Sequence, residues 1–197
     1  MLYLASNSPQ RREILSSLSV EFSLLESDFD ETPLHFLNMA PVALSKKIAL
    51  AKLDYALEQF RDTLTKDDFV FTADTMIFLD RKTIYGKPES KEKAEAMLRS
   101  YSGRAHYAVT SIAGCNAAKR KKLVTAQSTK VWFAKLTDVE ITKLLEPNEW
   151  QDAAGGYRIQ GKAAFYIKKI SGSYTGVLGF PVHDFYVLAK KLKISLP

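Results

Sequence analysis

Two periodicities alternate along the chain: short runs of apolar, β-branched and aromatic residues, and longer stretches whose apolar positions recur every three to four residues. Leu2 to Ala5 is the first run and predicts a strand, which Asn7-Ser8-Pro9 breaks. Ser8 as N-cap and Pro9 at the first helical position predict a helix from there to about Leu18. On that helix Arg11 falls in line with Leu15 and Leu18, at the end of the apolar stripe, while Arg12 falls in line with Ser16 and Ser19, toward water. A helix N-terminus after a strand favours anions, and Arg11 is the better internal anion ligand of the two. Val20 to Leu25 predicts a second strand, followed by an acidic loop with Glu26, Asp28, Asp30 and Glu31. Pro41 to about Leu64 predicts a long amphipathic helix with Ile48, Ala49, Lys52, Tyr55 and Ala56 on one face, so Lys52 sits on or beside the apolar stripe.

The stretch Phe69 to Pro88 is the centre of the pattern. It reads as a buried strand from Phe69 to Asp74 and on to Leu79, then a turn at Arg81-Lys82 and a closing Gly86-Lys87-Pro88. Asp74 interrupts the apolar run. A carboxylate buried without a partner costs several kcal/mol, so a cation, a metal or a hydrogen-bond donor is expected beside it. Pro88 holds Lys87 extended, which can present its ammonium to a cleft.

Ser90 to Tyr101 predicts a helix with Ala94, Met97, Leu98 and Tyr101 inward, ended by Ser102-Gly103. Tyr107–Cys115 and Leu123–Ala134 predict two strands joined by the basic turn Lys119-Arg120-Lys121-Lys122. Thr137 and Glu140 have capping-box spacing for a helix that ends before Pro147. Ala153–Gly161 is a glycine-rich loop carrying Arg158 and Gln160, without the spacing of a P-loop or dinucleotide fingerprint. Ala164–Ile170 predicts a strand, Ser171–Pro181 a second glycine-rich loop, and Pro181 opens a last helix to about Leu192. Strand–helix alternation with neighbouring strands in the middle indicates an α/β fold with a mixed sheet, organised as one domain over residues 1–197.

Composition narrows the chemistry. A hydrophobic fraction of 46% suits a buried core. One cysteine, Cys115, excludes an internal disulfide and points to a reducing cytoplasm. MLYLAS is too short for a signal peptide, and no run reaches the ~18 apolar residues of a membrane span. His35, His106 and His183 are scattered, so a bound metal is expected to be a hard cation on oxygen ligands, with Glu31 and Asp74 as candidates. The net charge of +6 fits an anionic ligand without choosing one. Acids for a divalent cation (Glu31, Asp74), constrained cations (Arg11, Lys52, Lys87), a helix N-terminus and a loop amide together form the set that a nucleoside triphosphate requires.

In order, Leu4-Ala5-Ser6-Asn7-Ser8-Pro9 with Arg11, Arg12 and Glu13, then Asp30-Glu31-Thr32, Lys52, Ala73-Asp74-Thr75 and Gly86-Lys87-Pro88 resemble the Maf family of nucleotide pyrophosphatases, once called septum-formation inhibitors. Ser102-Gly103-Arg104 with His106 and Thr110, Ala154-Gly155, Tyr157, Ile159-Gln160-Gly161 and Gly172-Ser173-Tyr174 extend the resemblance over nearly the whole chain. The resemblance implies a two-lobed fold around a central cleft, akin to inosine triphosphate pyrophosphatases. It also implies hydrolysis of a nucleoside triphosphate to monophosphate and pyrophosphate with Mg²⁺ or Mn²⁺, a house-cleaning role with a link to cell-division arrest, and a homodimer. By the same resemblance Asp74 is the proton acceptor, Glu31 and Asp74 hold the metal, and Ser6, Arg11, Lys52 and Lys87 hold the phosphates. Gln10, Thr75 and Gln160 are the positions tied to base choice, and Thr75 and Gln160 look like the branch acting on dTTP and UTP.

Two positions depart from the family pattern. Gln10 stands where that branch usually has arginine, and Asp152-Ala153-Ala154-Gly155 lacks the loop's usual lysine, for which Arg158 is read as the compensating cation. The alternatives are a pyrophosphatase for a modified or other pyrimidine nucleotide, and, in another class, a nucleic-acid or division-apparatus binding protein without catalysis. The basic turn at Lys119–Lys122 supports the last of these, although it reads first as a solvated hairpin tip. No membrane partner is expected.

Overall fold

Ten consecutive residues, Phe69–Phe78, seven of them β-branched or aromatic, form the strand on which the molecule is built. In the computed structural model, which describes residues 1–35, 38–80, 83–118, 121–147 and 149–197, the strands are β1 (Leu2–Ala5), β2 (Ser23–Leu25), β3 (Phe69–Phe78), β4 (Ile84–Tyr85), β5 (Ala105–Asn116), β6 (Leu123–Phe133) and β7 (Ile167–Ser171). They form one mixed sheet in the order β2-β1-β3-β5-β6-β7, with β4 also on β3. β1 runs parallel to β2 and β3; all other pairings are antiparallel.

The two edges of β3 differ. β5 pairs with all ten residues on one side. On the other, β1 pairs with Phe69, Val70 and Phe71, and β4 with Ile77 and Phe78. Between those partners the middle of β3 has no strand neighbour among the described residues. The polar residues Asp74 and Thr75 lie there.

Helices cover both faces: α1 (Pro9–Ser17), α2 (Thr32–His35), α3 (Pro41–Gln59), α4 (Lys91–Tyr101), α5 (Asp138–Leu144), α6 (Tyr174–Val177) and α7 (Val182–Lys191). The period-2 pleat sorts β3 between them. Val70 packs with Ala49, Leu53 and Ala56 of α3, and Met76 with Leu44 and Ile48 of the same helix. Phe71 and Ala73 pack on the opposite face with Leu15 of α1 and Phe185 and Leu188 of α7. Ile77, farther along that second face, joins Leu98 and Tyr101 of α4 and Ile141 of α5.

Several boundaries differ from the sequence-based expectation. The second strand is only Ser23–Leu25, and the long helix stops at Gln59 rather than near Leu64. Tyr55 is 39% exposed, because the buried stripe of α3 runs through Leu53, Ala56 and Leu57 instead. Leu18 is exposed, and Arg12 is half-buried rather than fully solvated. Ser8 holds the N-cap position of α1 without a side-chain cap; its hydroxyl donates to Gln10 Oε1 at 3.2 Å. The expected strand at Ala164 begins only at Ile167, since Lys162–Tyr166 winds into a 3₁₀ helix. The capping box of Thr137 and Glu140 forms as its spacing predicts. Arg81 and Lys82, and Lys119 and Arg120 of the basic turn, lie outside the described residues.

At the α4 end of the core, His106 is fully buried among Tyr101, Phe133 and Tyr157, with its Nε2 2.7 Å from the Tyr157 hydroxyl and no partner for Nδ1. Burial drives the His106 pKa down from 6.5 to about 3 and raises that of Tyr157. The unfolded chain therefore binds more protons than the native one between those two pH values. This contribution is whole above about pH 6.5 and is lost as pH falls toward about 3. Thermal or urea unfolding should show about 2 kcal/mol lost to this one group between pH 6.5 and pH 5. His106→Gln should flatten the pH dependence by close to one proton, and an unaltered slope in that variant would assign it to other groups.

Candidate active site

The unpaired stretch of β3 opens into a cleft of about 370 Å³, a size typical of small-ligand sites. Ser6, Gln10, Arg11, Glu31, Lys52, Asp74, Thr75, Lys87 and Gln160 all line it. All nine candidates taken from the sequence thus meet in one place, although they come from six separate parts of the chain. Arg158 lines the same cleft and donates from Nη2 to the Gln151 carbonyl at 2.8 Å.

The pleat puts Asp74 and Thr75 on opposite faces of β3. Asp74 turns toward α3, where its side chain is 5% exposed and its Oδ1 accepts from Lys52 Nζ at 3.1 Å. The same ammonium pairs with Glu31, which the acidic loop brings in from the other side. Lys52 is therefore not a lysine that lies along the apolar stripe and escapes to water; it is the shared counter-ion of two carboxylates. Asp74 Oδ2 is buried without a hydrogen-bond partner.

Thr75 turns the other way, toward α1 and the loop before α7. Arg11 reaches across this face. Its Nε donates to the Gly179 carbonyl at 2.9 Å, Nη1 to Ser6 Oγ at 3.0 Å and Nη2 to Thr75 Oγ1 at 3.2 Å. Burial lowers the Arg11 pKa, and the charges of Asp74 and Glu31 oppose the shift. Gly179 has φ +103°, and a Cβ there would lie 3.3 Å from Thr75 Oγ1, so a side chain would be strained and would crowd the hydroxyl.

The far wall is the first glycine-rich loop. Gly155, at φ +77°, donates its N–H to the Gly86 carbonyl at 2.8 Å, and a Cβ on it would press within 2.6 Å of Ile77 Cγ1. This docking sets Lys87 opposite Asp152, where Nζ and Oδ1 lie 3.4 Å apart at the exposed rim. Gln160 is also exposed on this wall.

Two carboxylates that could act as oxygen ligands for a divalent cation, Glu31 and Asp74, converge on Lys52, and Asp30 and Asp152 also line the cleft. No group of three or more His, Cys, Asp or Glu that could hold a metal occurs among the described residues. That donor set, with an unpartnered oxygen on Asp74, fits an ion of the Mg²⁺ kind, which takes one or two carboxylates and completes its shell with substrate phosphates and water.

Sequence reasoning missed the partners that orient these groups. Thr110, the cross-strand neighbour of Thr75, is fully buried behind it. Asp152 and the carbonyls of Gly176 and Gly179 also went unremarked as contacts. No periodicity or spacing signals a carbonyl, and a buried threonine in a strand reads as ordinary β-former. Among the described residues, no helix is long and apolar enough to cross a membrane.

Removing the ammonium of Lys52 leaves the buried Asp74 carboxylate uncompensated. Breaking a fully buried pair costs about 3–5 kcal/mol; with Glu31 partly exposed, Lys52→Met should cost about 2 kcal/mol in urea unfolding without divalent ions. An unchanged midpoint would show that the pair carries no stability.

A family described as Maf-like protein matches residues 1–192. A dTTP/UTP pyrophosphatase of Treponema denticola is 38% identical over 201 residues, spanning 99% of this chain and 98% of its own. Another, of Chromobacterium violaceum, is 38% identical over 200 residues, spanning 100% and 96%. The solved structure of a HAM1 protein from Coxiella burnetii covers 96% of this chain and 98% of its own with a TM-score of 0.50 at 14% identity, a likeness of fold. The chain belongs to the Maf-like family.

Proposed function

We propose, from this membership and the geometry of the cleft, that the chain is a nucleotide pyrophosphatase that cleaves dTTP or UTP to the monophosphate and pyrophosphate. One observation carries the reading: Glu31 and Asp74 share the Lys52 ammonium in a cleft also lined by Arg11, Lys87 and Arg158. The names of the relatives support the substrate class. The whole chain acts as one domain around this cleft, and the cytoplasmic location and homodimer expected from the sequence belong to the same proposal.

The phosphates are strongly anionic and need donors that the protein has not already spent. Ser6 Oγ accepts from Ser8 N–H at 3.3 Å and from Arg11, so both its lone pairs are used and its hydrogen is left for a phosphate oxygen. Arg11 uses three of its five N–H groups within the protein and keeps the others for an anion. Lys87 pairs with Asp152 at the exposed rim, so an arriving phosphate competes easily with that carboxylate. Lys52 neutralises the carboxylates at rest and turns part of its charge to the phosphates when they enter.

Glu31 and Asp74 would hold a divalent cation, Mg²⁺ or Mn²⁺, which would neutralise phosphate charge. Asp74 accepts a proton from the water whose oxygen bonds to the α-phosphorus. The bond from the α-phosphorus to the oxygen bridging it to the β-phosphorus breaks, and pyrophosphate leaves against Lys52, Lys87 and Arg11. Gln10, Thr75 and Gln160 meet the base.

A panel of nucleoside triphosphates, with and without Mg²⁺ or Mn²⁺, should give metal-dependent pyrophosphate release from dTTP and UTP. No release from any triphosphate, with nucleic-acid binding that weakens steeply as salt rises, would favour a binding protein instead. Asp74→Asn keeps the side chain's shape but removes the base, and kcat should fall at least about 10²-fold. Turnover close to that of the unaltered protein would take Asp74 out of the chemistry.

A further inference from the structure

A hydroxyl group has one hydrogen to give, and three hydroxyl and carbonyl oxygens, that of Thr75 in the cleft wall and those of Thr110 and Gly176 behind it, compete for two. Thr110 Oγ1 lies 2.7 Å from the Gly176 carbonyl, in a fully buried position. A carbonyl oxygen has no hydrogen, so the Thr110 hydrogen must lie between them; otherwise two lone pairs would face each other at that distance. Thr110 Oγ1 is also 3.0 Å from Thr75 Oγ1. With the Thr110 hydrogen committed, the hydrogen of that second contact can come only from Thr75. Arg11 Nη2, which can only donate, takes a lone pair of Thr75 at 3.2 Å.

The Thr75 hydroxyl is thereby sorted. Its hydrogen points to Thr110 and one lone pair to Arg11, and what remains for a ligand is an acceptor. The order is imposed from the Gly176 carbonyl, whose place is fixed by the N–H of Gly179 bonding to the same oxygen at 3.1 Å. Ser6, at the other Nη of Arg11, is sorted the opposite way and keeps only a hydrogen. One guanidinium thus separates a donor end of the cleft, suited to phosphate, from an acceptor end.

We propose that Thr110 is a positioning residue for base selection: by accepting the Thr75 hydrogen it makes Thr75 an acceptor, so the cleft takes a pyrimidine that offers N–H at ring position 3, uracil or thymine, and refuses cytosine. Neutral uracil and thymine carry a hydrogen on N3, whereas cytosine has a lone pair there. Against Thr75 that lone pair meets another lone pair. The inference rests on the pyrophosphatase reading with Thr75 facing the base, and it adds the origin of the preference and a residue that sets it from behind the contact surface. A site built to pair one ring donor can reject the ring that lacks it by orders of magnitude, because the protein's own polar group is then left unpaired.

The test measures kcat/KM for UTP and for CTP with the unaltered protein, Thr110→Val, Thr110→Ala and Thr110→Ser, each checked for folding by circular dichroism. The unaltered protein should prefer UTP by at least about 10²-fold. Both hydroxyl-free variants release the Thr75 hydrogen to turn toward the ligand, so the UTP:CTP ratio should fall at least about tenfold, a change that a loss of stability alone does not produce. Thr110→Ser restores the acceptor and should restore the ratio. A ratio within twofold of the unaltered protein's in a folded hydroxyl-free variant would overturn the relay and leave the pyrophosphatase reading standing. CTP cleaved about as well as UTP by the unaltered protein would overturn it too, whether or not the variants fold. No pyrophosphate from UTP with the unaltered protein would overturn the pyrophosphatase reading, and the relay with it.

Discussion

The pleat of β3 is the constraint from which the site follows. Adjacent residues of a strand face opposite ways, so the side chains of Asp74 and Thr75 bond to different partners. Asp74 meets Lys52 and Glu31 on the α3 face; Thr75 meets Arg11, Thr110 and the loop before α7 on the other. A complete sheet would bury both against its flanking layers. Because β1 stops early and β4 starts late, the edge between them has no strand partner among the described residues, and a ligand at that edge can touch both faces. Proton chemistry and base contact can then sit one residue apart without their polar groups quenching each other.

Arg11 ties the second face together. Its hydrogen bonds reach the segment after β1, the middle of β3 and the loop before α7 at once. Removing its guanidinium would do more than delete a positive charge. Ser6 would regain a lone pair and Thr75 another, and the donor and acceptor ends of the cleft would lose their distinction. Lysine at this position could supply charge but not three bonds in one plane.

Much of this was legible in the sequence for physical reasons. Asp74 stood out because a carboxylate in an apolar run must have a partner, and Arg11 because a helical period put it in line with Leu15. Ala94, Met97, Leu98 and Tyr101 are all buried on α4 as their spacing predicts. Lys52 was visible on α3, but its double pairing was not, since Glu31 comes from a loop with no period to read. Tyr55 was misplaced because a 19-residue helix crossing a twisted sheet buries a stripe that shifts along its length. The strand expected at Ala164 began late because its first residues coil into a 3₁₀ turn, and the ladder with β6 starts only at Ile167. The relay through Thr110 was beyond reach, as it depends on a carbonyl 66 residues away.

Cys115 gives the molecule an internal gauge. Its thiol is the only one in the chain and is fully buried in β5, opposite Val70 of β3. A thiol reagent in solution cannot reach it while those two strands stay packed under α3. The rate at which such a reagent labels the protein therefore counts openings of the central sheet and is blind to movements of the loops around the cleft. Binding at the cleft edge that tightens β3 registers as slower labelling, and a ligand that merely rests on the rim does not.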